Sequence, residues 1–289
     1  MSTPQPPLPQ AAPAWQAETG SAHPAYTSPI PVVRTHFGHA LASEWTKIRS
    51  LRSTMWTLGV FVLLVLGIGL AAGAMVASSP ADMHGDSPLP FGFFGLLMGC
   101  MCIITLGVLT TASEYGTGMI RTTMTVCPSR GRVLAAKATV FFVLSFVITL
   151  VSASLVAFLH VAMLEGHGAG TPSGQEWLKG TVGVSLYIAL LGLLSLVIGS
   201  LVRHSAGAIT IMIGTVLAPL VIALFMFAQS LEGVRQALFE YSIPSQLSVF
   251  YSTSLTGSGP SGWDPLWIIL GVTAVAFAGA YLLLEKRDV

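Results

Sequence analysis

Six long apolar runs, at about 54–77, 90–112, 138–163, 178–202, 206–228 and 265–284, leave this chain few ways to fold. Each holds the ~20 residues a helix needs to cross a ~30 Å hydrocarbon core. Within that core every backbone N–H and C=O has to be satisfied by the segment itself, which favours helices over irregular chain. Composition agrees: 53% of residues are hydrophobic and 9% charged, against about 25% charged in soluble domains. The expected fold is all-α and polytopic, with six membrane-spanning helices.

Six spans return the chain to the side on which it started, and the flanking charges indicate which side that is. Arg34, Lys47, Arg49 and Arg52 precede the first run; Arg121, Arg130, Arg132 and Lys137 lie between the second and third; Arg203 separates the fourth and fifth; Lys286 and Arg287 follow the sixth. The alternate loops hold only Lys179 and Arg235, with Asp82, Asp86, Glu165, Glu176, Glu232, Glu240 and Asp264. This asymmetry predicts cytoplasmic N- and C-termini by the positive-inside rule. The formal net charge of +1 excludes a broad basic surface, so nucleic acid is not an expected partner.

Ahead of the first run, residues 1–33 contain eight of the seventeen prolines and no apolar periodicity, and read as a disordered tail. No basic start followed by an apolar core marks a signal peptide there, so the tail is expected to be retained. Residues 35–52 form an interfacial amphipathic helix with Phe37, Leu41, Trp45, Ile48 and Leu51 on one stripe. Glu44 falls near the centre of that stripe, where a carboxylate is costly without a partner. It pairs either locally with Lys47, three residues on, or with a partner protein or the basic loop after Ser113.

Chemistry is sparse. The six runs contain no internal Asp, Glu, Lys or Arg, and His160, near the outer end of the third, reads as an interfacial side chain. Proton or sodium relays need ionisable groups at membrane depth, so a stand-alone secondary transporter is disfavoured. No catalytic residue is nominated, because Ser113, Ser195 and Ser200 lack a recognisable base. No metal site is expected either: His36 and His39 read as solvated surface, and Cys100, Cys102 and Cys127 lack ligand spacing. A nucleotide-binding G-x-x-x-x-G-K-[ST] loop is missing, for the chain has no Gly-Lys dipeptide.

The remaining polar segments differ in weight. The outer loops 78–89 and 164–177 read as plain connectors, and the turn at 203–205 makes the fourth and fifth spans antiparallel neighbours. Pro219 is expected to kink the fifth. Segment 229–264 carries two stripes, Leu231, Val234, Leu238 and Tyr241, then Leu247, Phe250 and Tyr251. These read either as two short helices capping the bundle or as an ordered loop.

The loop 113–137 is far longer than a turn requires. Glu114, Gly118, Arg121 and Thr125 recur at helical spacing, opposite Tyr115, Met119, Ile120, Met124 and Val126. Glu114 is placed at the start of that helix, where the macrodipole favours a carboxylate, and Gly118 is read as allowing close backbone approach. Pro128 suits the first turn of a further helix in which Arg130, Leu134 and Lys137 share a face. The exposed face either docks another protein or anchors the loop on anionic lipid headgroups.

The run EYxxGMIRTT…PSRGRVLAAK resembles the loop between the second and third spans in ABC exporter permeases of the type 2 class, above all stand-alone six-span bacterial subunits. Glu114, Gly118, Arg121, Pro128, Arg130 and Lys137 match its recurring positions, Thr122 lies within it, and Met119 stands where many members have Thr. Glu44 and Lys47 resemble residues of the family's elbow helix, and LLLEKRDV its basic ending. The resemblance implies an ABC transporter transmembrane domain over 53–289, an elbow helix at 35–52, and a coupling helix that docks a separate ATP-binding cassette ATPase subunit. ATP and Mg would belong to that subunit, with no cofactor on this chain. A second copy or a paralogous permease and membrane lipid are the other implied partners, in a bacterial cytoplasmic membrane. Efflux or flipping of a substrate is the implied function; an ATPase-associated sensory or immunity module is the alternative.

Overall fold

The computed structural model describes residues 36–79, 83–126, 129–252 and 258–286. The tail at 1–33, Cys127, Pro128 and Arg287 lie outside the described residues. No strand occurs among the described residues, and six helices are long and apolar enough to cross a membrane. They are α2 (Arg52–Ala77), α3 (Phe93–Gly116), α5 (Arg130–Leu164), α7 (Val184–Val202), α8 (Ser205–Phe225) and α11 (Asp264–Lys286). Shorter helices are α1 (Phe37–Ser50), α4 (Met119–Val126), α6 (Gly174–Leu178), α9 (Glu232–Glu240) and α10 (Ile243–Ser248).

Apolar runs locate the spans but not their ends. The second run stops at Ala112 and the third begins at Ala138, whereas α3 continues to Gly116 and α5 begins at Arg130. Hydropathy registers only lipid-depth residues; the helical hydrogen-bond ladder runs on through polar ones. In the fifth span the reverse holds, for α8 ends at Phe225, before Met226, Phe227 and Ala228.

At the centre α7 packs on α3, α5, α8 and α11, and α3 also on α2 and α8. Lipid tails are as apolar as leucine, so spans associate by close packing and interhelical hydrogen bonds. A Cβ on Gly107 would stand 2.1 Å from Ser195 Oγ and 2.5 Å from Gly192 O. One turn further along α3, the Thr111 hydroxyl donates to Leu196 O at 3.1 Å. Ile103, Ile104 and Val108 fill this seam against Ile188, Leu191 and Leu196.

His160 departs from its expected interfacial place. It is fully buried, with Nε2 2.7 Å from Gly69 O, and a Cβ on Gly73 would fall 2.6 Å from its ring. Two small residues on α2 leave a slot that the imidazole fills, so α5 meets α2 through a polar contact in an apolar seam.

At the end of the bundle away from α1, the two loops read as plain connectors pair with each other. Met83 N–H donates to His167 O, Gly85 N–H to Gly168 O, and Gly170 N–H to Asp86 O, at 2.9–3.1 Å. Segment 229–264 does carry two short helices. α9 buries none of its residues, whereas every residue of α10 is buried. Beyond α10, Tyr251 and Phe250 reach a π-helical turn at Lys179–Gly183, the Tyr251 hydroxyl donating to Gly180 O at 3.4 Å.

Candidate functional site

Where α1, α3 and α5 converge, four charged side chains meet. α1 turns Glu44 and Ile48 inward and leaves Phe37 and Trp45 exposed. Leu51, in extended conformation, is the single joint between α1 and α2. The last turn of α3 brings Glu114, and the second turn of α5 brings Lys137.

Lys137 Nζ lies 2.8 Å from Glu44 Oε2, 2.8 Å from Glu114 Oε1 and 3.1 Å from Thr110 O, so all three ammonium protons find acceptors. Lys47 Nζ lies 2.7 Å from Glu44 Oε1 and 3.1 Å from Glu114 Oε1. Glu44, Glu114 and Lys137 are 4%, 2% and 3% exposed. Two carboxylates facing two ammoniums leave no net charge, which is the condition under which such groups tolerate burial. Burial pushes the Glu44 carboxyl up, but the Lys137 charge and the hydrogen bonds from Lys137 and Lys47 reverse this and hold it below its ordinary value. Burial likewise pulls Lys47 down, and its bonds to Glu44 and the charge of Glu114 raise it above its ordinary value.

One acceptor is left over. Glu114 Oε2 is buried with no hydrogen-bond partner among the described residues, and a cavity of about 120 Å³ lies beside the cluster, bordered by Glu114, Ser113 and Met119. Such a volume admits water, and a bound water donating to Glu114 would complete the network.

This arrangement corrects the sequence reading of Glu114. It lies in the last turn of α3, not at the start of a loop helix, and faces inward. The helical spacing from Glu114 to Arg121 is interrupted at Thr117 and at Gly118, whose φ is +73°. Gly118 is therefore used for a left-handed turn; among the described residues nothing lies within 4 Å of the position of its missing Cβ. Beyond it α4 buries Ile120 and exposes Arg121, Thr122 and Thr125. Thr122 spends its hydroxyl on Met119 O at 3.0 Å. Arg130 opens α5 and is half-buried. Beside the loop, Arg203 stacks its guanidinium 5.0 Å over the Tyr115 ring.

Of the alternatives for Glu44, the local pair and the contact to the basic segment occur together: Lys47 within its helix, and Lys137 at the end of that segment, 93 residues away. Thr110, whose carbonyl completes Lys137, was not signalled by any pattern. His36 and His39 lie at the start of α1, where the His36 N–H donates to His39 Nδ1 at 3.4 Å. Among the described residues no group of three or more His, Cys, Asp or Glu is arranged to hold a metal.

Six apolar helices around a small-residue seam, with the charges gathered at helix ends, define a polytopic membrane protein. The chain belongs to the ABC-2 family transporter proteins, whose family model matches residues 40–230, from α1 through α8. No curated protein matches it. The chain is thus a permease component of an ABC transporter, a membrane transport part and not itself the catalyst. That family implies, in general, an ATP-binding cassette partner.

Proposed function

We propose that this permease exports or flips a substrate, driven by a separate ATPase that docks on α4. The observation that carries this reading is the buried Glu44–Lys47–Glu114–Lys137 cluster. It ties α1, the end of α3 and the start of α5 together at the base of the loop bearing α4. A push on α4 would therefore pass to three elements at once instead of being absorbed by a slack loop. The exposed face of Arg121, Thr122 and Thr125 is the docking surface, and Gly118 sets the angle at which α4 leaves α3. Glu114 and Lys137 serve coupling from inside, not contact. The charge asymmetry supports a cytoplasmic loop and cytoplasmic ends, in a bacterial cytoplasmic membrane. ATP and Mg belong to the docked subunit, and a second permease half completes the assembly.

Co-purification of an ATP-binding cassette subunit co-expressed with this chain tests the reading. Arg121→Glu should cut recovery about tenfold, the equivalent of one charged contact. Undiminished recovery with Arg121→Glu combined with Thr125→Glu would overturn α4 as the docking surface.

A further inference from the structure

α5, α7 and α11 enclose a long apolar groove on the flank of the bundle, away from the ion cluster. It consists of two hollows of about 760 and 440 Å³ that share Phe142, Leu190 and Leu270 and so form one channel. One end reaches Tyr281, the other Trp267 and Trp263. Between Trp267 and Tyr281, α11 rises about 21 Å, most of the ~30 Å hydrocarbon core.

Both ends carry the chemistry of a membrane interface. Trp and Tyr concentrate at headgroup depth. At the Tyr281 end, the first turn of α5 abuts the ring so closely that a Cβ on Gly131 would stand 2.3 Å from it. Arg132 follows Gly131 and precedes Ala135 and Thr139, two groove-lining residues, by three and seven positions, which places it on the groove's face of α5. By register Arg132 therefore stands at one mouth of an apolar slot that covers most of the hydrocarbon depth.

We propose that this groove holds an acyl chain of an anionic phospholipid, with the phosphate at the Arg132 and Tyr281 end. The lining is almost wholly apolar, so it provides no directional contacts for a polar solute. The medium at this depth is hydrocarbon, and a flexible chain fills a narrow cleft more readily than a second helix 10–12 Å across. Arg132 selects charge: a basic residue at the surface favours anionic lipid by several-fold.

Native mass spectrometry on the full chain, reconstituted in equal phosphatidylglycerol and phosphatidylethanolamine and then extracted in mild detergent, reads this directly. Wild type should retain phosphatidylglycerol. Ala278→Trp, which fills the groove, should lower retention about tenfold, as excluding two methylenes would. Arg132→Gln should lower the preference for phosphatidylglycerol about fivefold while phosphatidylethanolamine is still held. Should Ala278→Trp fail to elute as a folded species, Ala278→Leu takes its place with a smaller loss. Equal retention by wild type and the filled variant overturns the site, as does a chain-to-chain disulfide formed by Leu282→Cys. Equal retention of both lipids by wild type overturns the anionic assignment.

Discussion

Lys137 is the residue on which the ion cluster depends, because its ammonium touches both buried carboxylates and the Thr110 carbonyl. Replacing it with Met leaves Glu44 and Glu114 facing each other with only Lys47 between them. Removing one partner of a buried pair strands a charge, at a cost of about 3–5 kcal/mol. Unfolding in mixed detergent and dodecyl sulfate should show a loss of that size for Lys137→Met. A cycle with Glu44→Gln should then show coupling of about 0.5–3 kcal/mol; additive losses would mean the two do not interact. The pH dependence has two limbs. Glu44 is depressed below its ordinary 4.5, so its contribution is present above that value and lost as pH falls through the folded value. Lys47 is raised above its ordinary 10.5, so its contribution is complete below that value and lost as pH rises through the folded one. Amide protection in α1, taken relative to the intrinsic exchange rate at each pH, should therefore stay high between these limits and fall on acidification below about pH 4.5. A flat profile down to pH 3 would count against an ionic tether.

At the scale of elements, the α3–α7 seam is close enough for a single added atom to matter. The Cβ of Gly107→Ala would overlap both Ser195 Oγ and Gly192 O, so the helices must part. Overpacking of this kind costs about 1–3 kcal/mol. Combining it with Ser195→Gly should recover only part of the loss, because the Gly192 carbonyl remains in the way. Full recovery would mean the seam is looser than its geometry. The spans themselves were legible in the sequence because lipid imposes length and apolarity on every one of them. Helix ends were not, since α3 and α5 keep their ladders through Glu114 and Lys137, residues a hydropathy window assigns to a loop. Glu44 was flagged by its place on an apolar stripe, with Lys47 and the basic loop after Ser113 among its candidate partners. That it takes both at once was not, because a contact across 93 residues leaves no local periodicity. The pairing of the two far-end loops was illegible for a related reason: it uses backbone groups, which every residue carries.

Across the whole molecule, docking and coupling are separable if α4 receives a partner and the ion cluster carries the movement inward. Arg121 is exposed on α4, whereas Glu44 is buried on α1, and among the described residues Glu44 forms its ion pairs with Lys47 and Lys137. Arg121→Glu should therefore weaken ATPase co-purification. Glu44→Ala should leave co-purification intact, because it alters no exposed residue of α4, while releasing α1 from α3 and α5. Its signature is a complex that still assembles but whose substrate-stimulated ATP hydrolysis falls by about tenfold, since a 1.4 kcal/mol change in the driven step is a factor of ten. Restoring the tether by a disulfide between α1 and α5 should return stimulation without changing binding, which separates loss of the link from loss of the carboxylate itself. A Glu44→Ala complex that assembles and is fully stimulated would remove the cluster from the path of force and leave it a structural clasp.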